Sequence, residues 1–192
     1  MAVYEELTVG KLVITGGGAV GTLNSVSGLS VAHKQTGPLV QTTLTLSDVG
    51  QTVVNGTEYQ STKLFTFPEG RILVLGVTAA LAQKTTSAIA STLNSGVTGA
   101  LGLGTAAASN VSLTSTMVDL LPSTAYTTST TINVAAAAVK AALAAAAQFD
   151  GTTTAKDMYL NSAYATTTDV DADATQTWTG SIVVTWLSLG DY

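Results

Sequence analysis

"TWTGSIVVTWLSLG", residues 177–190, decides how the chain folds. One alternate set is Trp178, Gly180, Ile182, Val184 and Trp186; the other is Thr177, Thr179, Ser181, Val183, Thr185 and Leu187. Period two with β-branched and aromatic residues is the signature of a strand with one apolar face. The tryptophan set faces a core, and the Thr/Ser set faces solvent or a neighbour.

The same pattern recurs upstream. "PLVQTTLTLSDV" (38–49) alternates Leu44 and Leu46 against Thr43 and Thr45, and "TKLFTFPEG" (62–70) repeats it before a Pro-Glu-Gly turn. "RILVLGVTAAL" (71–81) is a continuous apolar run, as a strand buried on both faces requires. "TGALGLGTAAAS" (98–109) and "NVSLTSTMVDLLPSTAY" (110–126) add further strands. About seven or eight short strands separated by turn signals predict a mainly β domain, an antiparallel β-sandwich of jelly-roll-like form. One inserted helix is expected in the alanine run "VAAAAVKAALAAAAQF" (134–149), because alanine is the best helix former. Residues 1–37 are Gly/Ser-rich and aperiodic and predict an extended N-terminal arm; residues 38–192 form the domain.

Composition narrows the function. Of 192 residues, 46% are hydrophobic and only 10% charged, against about 25% in ordinary soluble domains. A neutral, hydroxyl-rich surface suits a protein that works inside an assembly. The net charge is −5 and the seven basic residues are scattered, so no nucleic-acid partner is expected. The alanine run is too short and too weakly apolar to span a bilayer, so no membrane partner is expected. Cysteine is absent, which removes disulfides and thiolate metal sites.

Five constellations invite a chemical reading. "KLVITGGGAVGTL" (11–23) spells G-x-G-x-x-G at Gly16, Gly18 and Gly21. A dinucleotide site needs a helix to begin there and an acidic residue about 20 positions on. The following "TLNSVSGLSVAHKQTGP" has no helical stripe, and the first acid is Asp48, so the glycines predict a flexible or closely packed arm and no cofactor. His33 is the sole histidine and has no triad or zinc companions, so no catalytic residue is assigned. Asp169, Asp171 and Asp173 alternate like the start of an EF-hand, but Ala174 and Gly180 stand where Gly and Glu are needed. They remain the candidate metal ligands for an irregular hard-cation site, against the plainer reading of an acidic solvated turn. Glu5 and Glu6 are adjacent and do not converge, and Asp150 and Asp157 flank a Thr-rich turn.

Four phrases resemble virion structural proteins of tailed bacteriophages, marine phages and cyanophages above all: "VTGALGLGTAAAS" (97–109), "DLLPSTAYTT" (119–128), "FDGTTTAKDMYLN" (149–161) and the ending "GSIVVTWLSLGDY" (180–192). Within that group a Gly-rich arm before a β-domain resembles a capsid decoration, or cement, protein. The resemblance implies a non-enzymatic virion component on the capsid surface, a homotrimer, with the major capsid protein as partner and no catalytic residues. The alternatives are a shell or tube subunit, a tail or head fibre, and a carbohydrate-binding module whose sugar platform would be Trp178 and Trp186.

Overall fold

The computed structural model describes residues 20–85, 97–127, 137–141, 147–165, 170 and 172–190. They form β1 (Thr22–Leu23), β2 (Leu29–Thr36), β3 (Leu39–Val53), β4 (Tyr59–Thr66), β5 (Gly70–Thr85), β6 (Thr98–Gly104), β7 (Leu121–Thr127), β8 (Ala137–Ala141), β9 (Ala147–Gly151), β10 (Asp157–Tyr164) and β11 (Ala174–Gly190). One 3-10 turn, Ser115–Met117, is the only helical element among the described residues. The strands make two sheets, one ordered β1-β4-β10-β6-β7 and the other β2-β3-β11-β5-β8, with β9 also on β5. Strands β8 and β9 lie end to end along the same side of β5, on residues 79–83 and 70–74. Every described pairing is antiparallel.

Strand β11 lies in the middle of its sheet, paired with β3 on one side and β5 on the other over nearly its whole length. Its alternation falls as the sequence requires. Trp178, Ile182, Val184 and Trp186 are buried, and Thr179 is exposed. Thr177 departs from the pattern: it belongs to the outward set and is nevertheless buried. A bulge interrupts the β3–β11 ladder where Ser47 and Asp48 face Thr179. Asp48 takes φ 56° there, and its N–H and carboxylate both meet the Thr179 hydroxyl. Bulges of this kind bend and twist a long strand so that it stays over its core.

The two sheets share one buried cluster. Leu64, Phe65, Leu101, Leu103, Met158 and Leu160 of one sheet pack with Val40, Leu44, Ile72, Val77, Ile182 and Val184 of the other. At one end an aromatic chain crosses between them: Phe67 meets Phe65, Phe149 and Trp186 edge-on at 5.3, 5.0 and 5.6 Å. Such edge-to-face contacts set the positive rim of one ring against the negative face of the next. In β6, Leu101 and Leu103 point into this cluster, so the small/Leu alternation read in the sequence is a strand with its leucines inward.

Two expectations are corrected. The alanine run is not helical where it is described: residues 137–141 and 147–151 are strands on the edge of β5. Pairing with an exposed strand edge outweighs an intrinsic helix preference of a few tenths of a kcal/mol per residue, roughly the propensity scale itself. The other correction concerns the arm. Residues 20–37 are built into both sheets: β1 pairs with β4, and β2 forms a hairpin with β3. Val20, Leu23, Val26, Leu29 and Val31 pack on the core. Residues 1–19 lie outside the described residues.

Two outcomes follow. Trp186→Ala empties the junction of the aromatic chain and should cost about 3–5 kcal/mol, whereas Thr179→Ala, on the exposed side, should cost about 1 kcal/mol; chemical denaturation measures both. A chain beginning at Pro38 loses β1 and β2 and should be unfolded or aggregated by circular dichroism, because the removed strands cover the core rather than hang from it.

Candidate functional site

The interior is apolar at the Trp186 end and polar at the Trp178 end. Gln51 of β3 is the node of the polar end. Its Nε2 donates to the Leu160 carbonyl at 2.9 Å, and its Oε1 accepts from Trp178 Nε1 (2.7 Å), Ser162 Oγ (2.9 Å) and Gln176 Nε2 (3.1 Å). Gln60 Nε2 donates to Ser162 Oγ at 2.7 Å, and the Tyr164 hydroxyl donates to Gln176 Oε1. Gln51, Gln60, Ser162, Tyr164 and Gln176 are all buried. Side chains from β3, β4, β10 and β11 thus join the two sheets through hydrogen bonds in a dry interior, where each bond is strong and each loss costly. Burial raises the Tyr126 hydroxyl well above its ordinary pKa, helped by the neighbouring Tyr164, so it stays neutral.

A second network ties down the connection from β6 to β7. Asn161 of β10 is fully buried on the opposite face of its sheet. Its Nδ2 donates to the carbonyls of Ala106 (2.9 Å) and Met117 (2.7 Å), and its Oδ1 accepts from Ala108 N (3.0 Å) and Ser61 Oγ (2.6 Å). All four hydrogen-bonding positions of one amide are used on a single loop and its neighbour strand. Leu113 and Met117 bury against Ala163 beneath this loop. Gly104 permits the fit: a Cβ there would stand 2.2 Å from backbone atoms of Thr116 and Met117. Asp119 closes the loop by accepting from Thr105 N and Oγ1 at 2.8 and 2.7 Å.

The sequence candidates land as follows. Gly21 sits with φ 88°, and a Cβ on it would be 2.3 Å from the Phe65 ring. Strand β1, not a helix, follows it, so close backbone packing is what this glycine provides; Gly16 and Gly18 lie outside the described residues, as do Glu5 and Glu6. His33 is half-buried in β2, 5.8 Å from the Phe65 ring, with Nδ1 3.1 Å from Thr42 Oγ1. Thr42 Oγ1 also accepts from Trp186 Nε1 at 3.0 Å, so one hydroxyl bridges His33 and Trp186. Asp169 and Asp171 lie outside the described residues; Asp173 is exposed and accepts from Asn55 N at 2.8 Å. Among the described residues no three metal-binding side chains converge.

Asp150 is used locally, accepting from Thr152 N and Oγ1. With Arg71, Gln148 and Phe149 it lines an open cavity of about 290 Å³ beside β9. Asp157 pairs with Lys63 at 2.7 Å and accepts from Thr66 Oγ1 and Tyr159. Burial alone would push the Asp157 carboxyl up; the Lys63 and Thr66 hydrogen bonds and the Lys63 charge more than offset it and hold it below its ordinary value. Trp178 and Trp186 are both fully buried, so neither offers a stacking platform to a sugar.

What the exposed surface offers is a broad face of low charge, with Lys34 of β2 and Arg71 of β5 at its margins. The outward residues of β3 and β11 include Gln41, Thr43, Thr45, Ser181, Val183 and Thr185. At one end Leu39, Leu187 and Leu73 stand in register across β3, β11 and β5, with Leu75 and Leu189 beside them. Leu39, Leu75 and Leu189 are 38–39% exposed. The face therefore presents exposed leucines in a field of hydroxyl and amide side chains. Composition predicted its low charge; the leucine row needed the strand register to become visible. The buried amides were missed because Gln and Asn in a strand pattern read as solvent-facing. No family model matches the chain, and no curated protein or solved structure matches it either.

Asn161→Ala should free the loop, lower stability by about 1–3 kcal/mol for the buried groups left unmet, and make residues 105–120 the first site of limited proteolysis. The histidine gives a pH test. Burial lowers the His33 pKa below 6.5, so the unfolded chain binds the proton first. Its contribution to stability is therefore complete above about pH 7 and is lost as pH falls through 6.5 toward the folded value. Thermal melts from pH 8 to 5 should show this decline, and His33→Gln should flatten it.

Proposed function

We propose that this chain is a non-enzymatic virion structural protein that decorates and stabilises a tailed-phage capsid, as a homotrimer bound to the major capsid protein. The fold proposed with it is a jelly-roll sandwich. The observation that carries the reading is the strand order. The orders β4-β10-β6-β7 in one sheet and β3-β11-β5-β8 in the other support the jelly-roll reading, because two interleaved Greek keys would be ordered this way, and jelly rolls recur in viral capsid domains. The phrase resemblance to virion proteins and the leucine-bearing face of low charge support the same reading. A face with few aromatic anchors gives modest affinity per contact, and many copies on a shell multiply it.

A shell, tube or fibre subunit would use the same fold. The sugar-binding reading loses its platform, since both tryptophans are interior. Electron cryo-microscopy of phage particles carrying the chain decides among these. Density for it on the outer head surface in many copies, with heads lacking it rupturing at lower temperature, is the expected result. Placement in the tail, a fibre or the shell itself, or absence from the particle, would overturn it.

A further inference from the structure

A sheet edge is a row of unpaired N–H and C=O groups and a template for another strand, so proteins blunt their edges with short strands, breaks, proline, covering segments or several charges, lysine above all. Among the described residues three of the four edges are blunted. Beside β4, strand β1 has two residues, and Asn24 caps the carbonyls of Lys63 and Leu64. Strand β7 carries Pro122. The far side of β5 is covered by two five-residue pieces, β8 and β9. The fourth edge, β2, has eight residues, no proline, an unbroken register with β3 and a single charge, Lys34. Among the described residues it pairs on one side only.

Which of its groups face outward follows from its first bonds. Ser47 N donates to the Gly28 carbonyl at 2.7 Å, while Leu29 N turns back to Val26 O at 3.2 Å. Residues of an antiparallel strand alternate between bonding to one neighbour and bonding away from it. With Gly28 bonded to β3, the N–H and C=O groups of Val31, His33 and Gln35 point to the open edge. Their side chains point inward and are half-buried, while Ser30, Ala32, Lys34 and Thr36 are exposed.

We propose that this edge pairs antiparallel with the β2 edge of a second copy of this chain, about a two-fold axis at Ala32. A two-fold axis normal to the sheet keeps inside and outside the same in both copies, so opposed residues must share a face. An axis at Ala32 satisfies this and sets Val31 against His33, so these residues exchange about four backbone hydrogen bonds across the join. It also puts the two Ala32 methyls together at a position where Cα atoms approach to about 4.5 Å, which suits a small side chain. Lys34 then faces Ser30, and the two lysines stand four residues apart, about 13 Å along the strands, beyond the screening length of roughly 8 Å in physiological salt. No like charges oppose each other. The contact joins copies in pairs, so on a shell it links neighbouring trimers; it does not depend on the capsid reading and is tested without it.

Sedimentation of the full chain over a concentration series should show the mass of the smallest species doubling. The amides of Val31, His33 and Gln35 should gain at least tenfold hydrogen-exchange protection in step. Ala32→Lys places an ammonium on the axis at an exposed site and should abolish the doubling with unchanged circular dichroism and Tm. Ala32→Glu should do the same, and an equimolar mixture of the two should restore it. The proposal is overturned if mass does not vary with concentration, if Ala32→Lys associates normally, or if the mixture stays unassociated. It is equally overturned if the three amides are protected while the chain is at its smallest mass, which would mean that another segment of the same chain, or another protein, holds the edge.

Discussion

An indole buried in a protein core must have its N–H met there, and both tryptophans of β11 are met by the same strand. Trp178 donates to Gln51 and Trp186 to Thr42, both on β3. The two bonds lie on opposite sides of the bulge at Ser47–Asp48, so they fix the register of β3 against β11 on both of its segments. A slip of one residue would turn both indoles outward and strand both acceptors. Everything else is arranged around this pair of strands: β2 and β5 extend the sheet from them, and the second sheet closes over the face that carries the indoles.

The interior therefore has two characters. Around Trp186 the contacts are mainly aromatic and edge-on; around Trp178 an edge-on contact with Tyr126 at 5.2 Å is joined by amides and hydroxyls, with Gln51 shared among Trp178, Gln176, Ser162 and the backbone of β10. Apolar packing is forgiving of small shifts, whereas an amide node with several partners is not. The polar end thus specifies how the sheets sit, and the apolar end supplies most of the burial. Asn161 applies the same device on the other side of β10, where one amide fixes the path of the β6–β7 connection.

The strands with clean alternation were legible in the sequence. The closing run, the Leu44/Leu46 run and the Leu101/Leu103 run all place the expected residues inside. Residues 29–36 were not, because the inward set of β2 is Leu29, Val31, His33 and Gln35, two of them polar. A half-buried edge strand tolerates polar inward residues, and its pattern then resembles a loop. The alanine run misled for a different reason: its local preference is helical, but its fate was decided by β5, a partner some sixty residues upstream. The buried amides left no signal at all, since a single sequence does not distinguish a core glutamine from a surface one. Of the two readings the sequence left open for the glycines, a flexible or a closely packed segment, Gly21 takes the closely packed one.

A rigid two-sheet body with a polar-stitched interior and an outer face of low charge is consistent with the proposed function, which rests on the strand order. The rigidity itself depends on the two indole bonds to β3. Hydrogen exchange of the Trp178 and Trp186 indole N–H groups, followed by nuclear magnetic resonance, measures them directly. The account predicts that both exchange only through global unfolding, with the same free energy as the slowest core amides and the same dependence on denaturant. An indole that exchanges at the rate of a free side chain, or through a local opening insensitive to denaturant, would contradict it.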